Sequence, residues 1–318
     1  MNTCDTFLGI DIGGTNTVVG LVDKNGKFLE TATLSTNAHR PFTEFFAQLE
    51  KVINPFQTDN KYCICGAGIG VPGANAENGR VEDPENFNWG KIDLAQIVRD
   101  KFDFPVTVIN DANAAALGEM KYGKARDLKN FIQITLGTGL GSSMVVDGKI
   151  VNGHHGLAGE LGHTRISHDN RKCSCGKRGC LETYVSATGV CRTAFELMSL
   201  EKENSPLRKH CFNELTAQIV TEYAEQGDTL AIEAYRLTGK ILGEKLADII
   251  GVFDPEAILF SGGLTSAGKF LFDPMRKTMS ENLLKMHRNT VKIIVSDNKK
   301  NYAVLGAALL IMQQSRMQ

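Results

Sequence analysis

One pattern constrains this chain more than any other: a strand, a glycine turn and a second strand, met twice about 125 residues apart. In the first copy, Phe7 to Ile12 and Thr17 to Val22 are apolar or β-branched runs around Gly13-Gly14. In the second, Asn130 to Leu136 and Leu140 to Val146 flank Gly137-Thr138-Gly139. Each copy runs on into another turn, Asp23-Lys24-Asn25-Gly26 and Asp147-Gly148. A supersecondary unit repeated at that interval predicts an internal duplication, and so two lobes built on one plan. The length of 318 residues suits two domains of about 100–200 residues each.

Further strands are expected at Lys27–Leu34, Cys63–Val71, Val106–Ile109, Ala257–Phe260 and Val291–Val295. Helices are expected at Pro41–Ile53, where Phe42, Phe45, Phe46, Leu49, Val52 and Ile53 fall near a 3.6-residue period, and at Ile92–Asp100 and Ala112–Tyr122. Most of Leu181–Phe253 and Ala303–Gln313 also read as helix. The mixture places the chain in the α/β class. The first lobe is expected at residues 1–117 plus 300–318, with the last apolar helix packing back on it, and the second at 118–299.

The glycine turns suit an anion. Paired glycines let backbone N–H groups approach a phosphate that a Cβ would keep away. In the first turn, Asp11 adds a charge fit to hold hydrated Mg²⁺, Thr15 adds a hydroxyl, and Asn16 follows. Gly137-Thr138-Gly139 is a second cradle and Ser261-Gly262-Gly263 a third. The first two lead into strands, so neither is a dinucleotide fingerprint, and no Gly-x-x-x-x-Gly-Lys-Ser/Thr loop is present. Two such loops in duplicated lobes would clasp a nucleotide's phosphates from both sides. A plain hairpin turn is the ordinary alternative for each.

Asn110-Asp111 ends one predicted strand and opens a helix. Both residue types are favoured helix N-caps. A carboxylate at the carboxyl end of a strand is also where ligands collect in α/β sheets. There Asp111 could accept a proton from an alcohol attacking a γ-phosphoryl group, because phosphoryl transfer needs positioning and charge neutralisation more than covalent help.

His163, Cys173, Cys175 and Cys180 form His-x₉-Cys-x-Cys-x₄-Cys. Gly176 and Gly179 would bend the loop so that three thiolates converge, and Lys172, Lys177 and Arg178 would offset their charge. Three buried or disulfide-forming cysteines are the alternative. Cys₃His is a closed tetrahedral zinc set, which predicts a structural Zn²⁺ that holds a loop. Such a metal would fix Glu160, His163 and Glu182 relative to one another, and carboxylates on a rigid loop accept well from sugar hydroxyls.

Four segments together resemble the ROK family of sugar kinases and sugar-responsive repressors over nearly the whole chain: Asp11-x-Gly13-Gly14-Thr15, Asn110-Asp111, Glu160-x-Gly162-His163 and Cys173-x-Cys175-Gly176-x-x-Gly179-Cys180-x-Glu182. The resemblance implies a two-lobed actin-like ATPase fold, ribonuclease-H-like, with a zinc-bound loop. It implies ATP, Mg²⁺ and a hexose as ligands, and a homodimer with its surface on the second lobe. Asp111 would be the base on the sugar 6-hydroxyl. Asn110, Glu160, His163 and Glu182 would hold the other hydroxyls, with Gly73 and Asn86 in the loops at the sugar's second carbon. Asp11, Gly13, Gly14, Thr15, Asn16, Gly137, Thr138 and Gly139 would face phosphates and Mg²⁺, and Gly262 and Gly263 the nucleoside. His163 would give one ring nitrogen to zinc and the other to sugar.

The substrate expected is D-glucose, because Ala74 and the Asn86-Phe87-Asn88-Trp89 loop resemble those of glucose-using members. Kinases of N-acetylglucosamine or N-acetylmannosamine, or a broad hexokinase, are the nearest alternatives. A sugar-sensing repressor is a third reading. Only ten residues precede Asp11, which leaves no room for a DNA-binding domain there. Lys plus Arg total 35 and Asp plus Glu 36, so the chain has no electrostatic footprint for nucleic acid or an anionic membrane. The longest apolar run, Ala303 to Met312, is far short of the ~18 residues of a membrane span. With no secretory signal at Met1 to Thr6, a cytoplasmic location is expected.

Overall fold

The structure, a computed structural model, describes residues 5–58, 62–82, 84, 87–166, 171–297 and 300–315. The chain forms two compact units, residues 1–129, 143–159 and 299–318, and residues 130–142 and 160–298.

In the first unit, β1 (Thr6–Ile12), β2 (Asn16–Asp23) and β3 (Phe28–Ser35) form the expected meander, followed by α1 (Phe42–Thr58). Strand β4 (Ile64–Gly70) leads to three very short strands, β5 (Ala74–Asn75), β6 (Arg80–Glu82) and β7 (Lys91–Ile92), which make a small separate sheet. Helix α2 (Leu94–Phe102), strand β8 (Val106–Ile109) and helix α3 (Asp111–Tyr122) follow. The main sheet has the order β3-β2-β1-β4-β8. Its β1–β2 and β2–β3 pairs are antiparallel, and its β1–β4 and β4–β8 pairs are parallel.

The second unit opens with β9 (Phe131–Leu136) and β10 (Leu140–Val146). The division between units passes through β10, so its far end and β11 (Lys149–Ile150) count with the first unit. Helices α4 (Ala187–Leu200), α5 (Ala217–Glu225) and α6 (Thr229–Phe253) precede β12 (Ala257–Ser261), α7 (Lys269–Asn282) and β13 (Lys292–Val295). The second sheet has the order β11-β10-β9-β12-β13, with β9–β12 and β12–β13 parallel and β10–β11 antiparallel. Both sheets therefore follow one plan, a hairpin meander extended by two parallel strands, as a duplication requires. The chain then returns to the first unit as α8 (Tyr302–Ser315).

The lobe change expected at residue 117 falls inside α3. The compact units change at Lys129/Asn130, which keeps α3 whole. Close packing explains why. Helix α8 lies on the first sheet and on α3 with almost no side chain between: a Cβ on Gly68 would sit 1.8 Å from the Ala307 carbonyl oxygen, and one on Gly306 would sit 1.8 Å from that of Ala114. The glycine richness of β4 is thus a packing requirement. The other face of this sheet buries Leu8, Ile10, Ala67, Ile69, Val106 and Val108 with Phe45 and Leu49 of α1 and Leu94 and Val98 of α2. In the second unit, Ile132, Ile134, Ile258 and Phe260 share a core with Leu242, Leu246 and Ile250 of α6 and Leu271 and Met275 of α7. Among the described residues no helix is long and apolar enough to cross a membrane.

Candidate active site and metal loop

In the first unit, Asp11 is the last residue but one of β1, and Gly13 N–H donates to the Asn16 carbonyl at 3.0 Å to close the turn that follows. Gly14, Thr15 and Asn16 are exposed. A Cβ on Gly14 would meet nothing within 4 Å, and its φ is not left-handed. The fold gives no reason for glycine there, whereas an approaching phosphate would. Asp11 sits among packed strands, and that burial raises its pKa from 3.8 to about 6. Asn301 opposes the shift: its Nδ2 donates to Asp11 Oδ2 at 3.1 Å. Asn301 Oδ1 also accepts from Val304 N–H at 3.0 Å, in the first turn of α8. Sequence reasoning missed Asn301, although an Asn just ahead of an apolar helix is a capping signal.

At the carboxyl end of β8, the cap of α3 is Asn110. Its Oδ1 accepts from Ala112 N–H at 2.9 Å and Asn113 N–H at 3.2 Å. Both readings of the Asn110-Asp111 pair are thereby separated: the capping bonds belong to Asn110, and Asp111 lies partly exposed in the first helical turn, at the positive end of the helix dipole. A Cβ on Gly70, at the end of the neighbouring β4, would lie 3.4 Å from Asp111 Cα, so the two strand ends stand side by side.

The loops expected at the sugar's second carbon look different. Gly73 has φ +68° and accepts from Glu82 N–H at 2.9 Å, so its glycine serves a turn. Ala74 is buried in β5 opposite Val81, and its small size answers to packing. Trp89 is also buried, with its ring 4.8 Å from that of Phe45 and 4.5 Å from that of Phe87. Asn86 lies outside the described residues.

In the second unit, the turn after β9 repeats the open cradle: a Cβ on Gly137 would meet nothing within 4 Å. The cap region of α4 holds this turn, with Ala187 N–H on the Gly137 carbonyl and Thr188 Oγ1 on the Thr138 carbonyl, both at 2.8 Å. Gly139 is tighter, since a Cβ there would come 2.8 Å from Glu182 Oε2. After β12, Gly262 has φ +93° and packs on the Leu136 backbone, while Gly263 again faces open space.

The four metal candidates converge: one ligand atom from each of His163, Cys173, Cys175 and Cys180 lies within 4.8 Å of every other. Cys175 Sγ and Cys180 Sγ are 3.6 Å apart, and Cys173 Sγ is 3.6 Å from His163 Nδ1. Tetrahedral bonds of about 2.3 Å to sulfur require edges of about 3.8 Å, so the donor set fits one soft cation. All three thiols are free of disulfides. Left-handed Gly176 and Gly179, at φ +79° and +75°, turn the loop as expected. Burial first, and the Glu182 carboxylate second, push the Cys173 thiol far above its ordinary range. Cys173 Sγ is 3.0 Å from Glu182 Oε1, and His163 Nδ1 is 3.6 Å from the same oxygen. The ring's other side faces Glu160, with Nε2 4.0 Å from Oε2. Glu182 is buried and Glu160 exposed, so the loop presents one fixed and one solvent-facing carboxylate around a single imidazole. Leu161 N–H donates to Ser142 Oγ at 3.2 Å and anchors this turn to β10.

Duplicated α/β sheets, open glycine turns and a converging Cys₃His set define a class of two-unit α/β proteins with a candidate metal loop. The sequence model of the ROK family matches residues 7–314, and the chain belongs to that family. A glucokinase of Streptomyces coelicolor is 33% identical over 309 residues, which is 95% of this chain and 96% of that one. A xylose repressor of Caldicellulosiruptor bescii is 30% identical over 250 residues, 78% of this chain and 63% of the repressor. Among solved structures, a ROK family glucokinase from Streptomyces griseus in complex with glucose and AMPPNP has a TM-score of 0.85 at 30% identity, covering 96% of this chain and 98% of that one.

Proposed function

We propose that this protein is an ATP-dependent sugar kinase that phosphorylates a hexose, D-glucose foremost, at its 6-hydroxyl. The observation that carries the reading is the division of labour at the end of β8. Asn110 makes the bonds that cap α3, so the cap does not depend on the carboxylate of Asp111. Asp111 takes the proton of the 6-hydroxyl as the oxygen attacks, which requires only a carboxylate within hydrogen-bond reach. Asn110, Glu160, Glu182 and His163 orient the remaining hydroxyls, and Gly73 and Asn86 border the second carbon.

The backbone amides at Gly13, Gly14, Gly137 and Gly139 take phosphate oxygens, helped by Thr15, Asn16 and Thr138, with Gly262 and Gly263 at the nucleoside. Asp11 would hold a hydrated Mg²⁺. Bound ATP would supply the γ-phosphoryl group and leave as ADP, and Mg²⁺ would supply neutralisation of the charge that develops. The Cys₃His set would hold a structural Zn²⁺, with one ring nitrogen of His163 on the metal and the other left for a sugar hydroxyl. The similarity to named glucokinases supports glucose over the N-acetylated sugars; Ala74 does not, because it is buried.

ADP release across glucose, mannose, fructose, N-acetylglucosamine and N-acetylmannosamine tests the reading. Glucose should give the highest kcat/KM, and Asp111→Asn should cut turnover by at least about 100-fold while the sugar still binds. Full turnover in that variant removes the base. The likeness to xylose repressors supports a second reading, a sugar sensor. Hexose binding without any turnover by the wild-type protein would favour it.

A further inference from the structure

Arg171 stands just ahead of the metal loop and is 5% exposed. A buried cation is tolerated only when it is paired and hydrogen-bonded, so its partners show what it is kept for. Nη1 donates to the Thr183 carbonyl at 2.8 Å and to the Gly189 carbonyl at 3.4 Å. Nη2 donates to Thr193 Oγ1 at 3.0 Å and pairs with Glu196, a carboxylate that also takes Arg192. The guanidinium lies 4.2 Å over the Tyr184 ring. The backbone of the same residue is engaged as well: Arg171 N–H donates to Tyr184 Oη at 3.3 Å, and its carbonyl accepts from Gly179 N–H at 2.9 Å.

One residue thus ties the cysteine loop and α4 to the segment Thr183-Tyr184: its backbone holds the exit of the loop, and its side chain holds Thr183, Tyr184 and α4 from Gly189 to Glu196. That segment directly follows Glu182. The Glu182 carbonyl is itself held by Ser186 Oγ at 2.7 Å, at the N-cap of α4. The guanidinium holds the backbone on one side of Glu182, and Cys173 and His163 stand at its carboxylate. Its partners among the described residues are Thr183, Gly189, Thr193, Glu196 and Tyr184, and none of these is a metal candidate. Its hold on Glu182 therefore does not pass through the four candidate ligands.

We propose that Arg171 is a positioning residue for sugar binding, fixing the Glu182 carboxylate through Thr183 and Tyr184 independently of the metal. The inference rests on the kinase reading, in which Glu182 meets the sugar. A fork of donors is what the site uses: a lysine can reach Glu196 or the Thr183 carbonyl but cannot span both in one plane.

The test compares wild type with Arg171→Met, Arg171→Lys, Glu182→Gln and the double variant Arg171→Met/Glu182→Gln. It measures the glucose dissociation constant by calorimetry, KM for glucose and for ATP, and bound metal. Arg171→Met should raise both the glucose dissociation constant and the glucose KM about tenfold, a step of about 1.4 kcal/mol. KM for ATP should stay within about twofold and metal content at wild-type level, as expected if the metal set does not depend on the guanidinium. Arg171→Lys should fall between. Because Arg171 acts through Glu182, the double variant should bind glucose no worse than Glu182→Gln alone.

A lower melting temperature with unchanged glucose affinity and KM would overturn the proposal and leave Arg171 a packing residue. So would additive losses in the double variant. Should Arg171→Met fail to fold, an Arg171→Lys variant with wild-type glucose affinity would refute it. A wild-type protein that binds no hexose would bring down the kinase reading and this one with it, whereas normal wild-type binding that Arg171 variants share refutes this one alone.

Discussion

Asp11 is predicted to weaken the protein that it serves. Its folded pKa is about 6, raised from 3.8 by burial against the partial help of Asn301. A raised acid binds its proton more tightly in the folded state. The stability it contributes is therefore complete below the unfolded value and is lost as pH rises through the folded value. A shift of about 2 units corresponds to about 3 kcal/mol at most, and the partial exposure of Asp11 reduces that to about 2 kcal/mol. Above pH 7, in the absence of Mg²⁺ and nucleotide, an ionised Asp11 stands in a site that resists its charge. Asp11→Asn keeps the shape and offers an amide oxygen to Asn301. The variant should lose phosphoryl transfer and yet be more stable than wild type at pH 8, by about 1–2 kcal/mol in urea unfolding. The gap should narrow by about 1 kcal/mol at pH 5, where the wild-type carboxyl is mostly protonated. Adding Mg²⁺ with ADP should stabilise wild type and not the variant. An Asp11→Asn protein less stable than wild type at pH 8, or a gap that does not change with pH, would refute the reasoning.

Two further outcomes follow from the turns and the loop. Gly14→Ala places a methyl group in open space, so unfolding should change by less than about 1 kcal/mol while KM for ATP rises about tenfold. Gly68→Ala is the contrast, because its methyl would lie 1.8 Å from the Ala307 carbonyl oxygen; it should lower the yield of folded protein and leave KM for ATP unchanged in what remains. Metal analysis should find about one zinc ion per chain, and Cys175→Ser should lose both the metal and glucose binding, read by calorimetry. A metal-free preparation with full activity would end the structural role given to the loop.

Much of this is legible in the sequence because the chemistry is local. Glycine turns, the Cys-x-Cys-x₄-Cys loop and the strand-to-helix junction at Asn110-Asp111 each declare themselves within a few residues. The opening meander follows from apolar runs set between glycine turns and the last helix from its continuous apolar run, and β4 reads as a strand in spite of its glycines. The small sheet of β5, β6 and β7 is not foreseen, since strands of two or three residues carry no period. Helix α7 is missed as well: Leu271, Phe272, Met275 and Met279 do recur at helical spacing, but Pro274 stands inside the helix and its mean hydropathy is low. Asn301 and Arg171 are hidden for another reason. Asn301 meets a residue 290 positions away, and Arg171 looks in sequence like one more charge in a basic stretch.

The structure adds a way to divide residues that sequence treats alike. Gly68, Gly262, Gly306, Ala74 and Trp89 have their identities fixed by what they touch: backbone in van der Waals contact, a strand partner, or stacked rings. Gly14, Gly137 and Gly263 touch nothing at the place where a side chain would begin. Asp11 carries a charge that its surroundings oppose, and three cysteines converge without forming a disulfide. For each residue of this second group the fold alone would accept, or prefer, another amino acid. Something bound would account for these residues, and the chemistry they ask for is complementary: anions at the open turns, and cations at Asp11 and at the thiols. That convergence supports a nucleotide–metal reading more firmly than any one motif, because a single ligand-free turn is commonplace while an unfavourable charge beside one is costly.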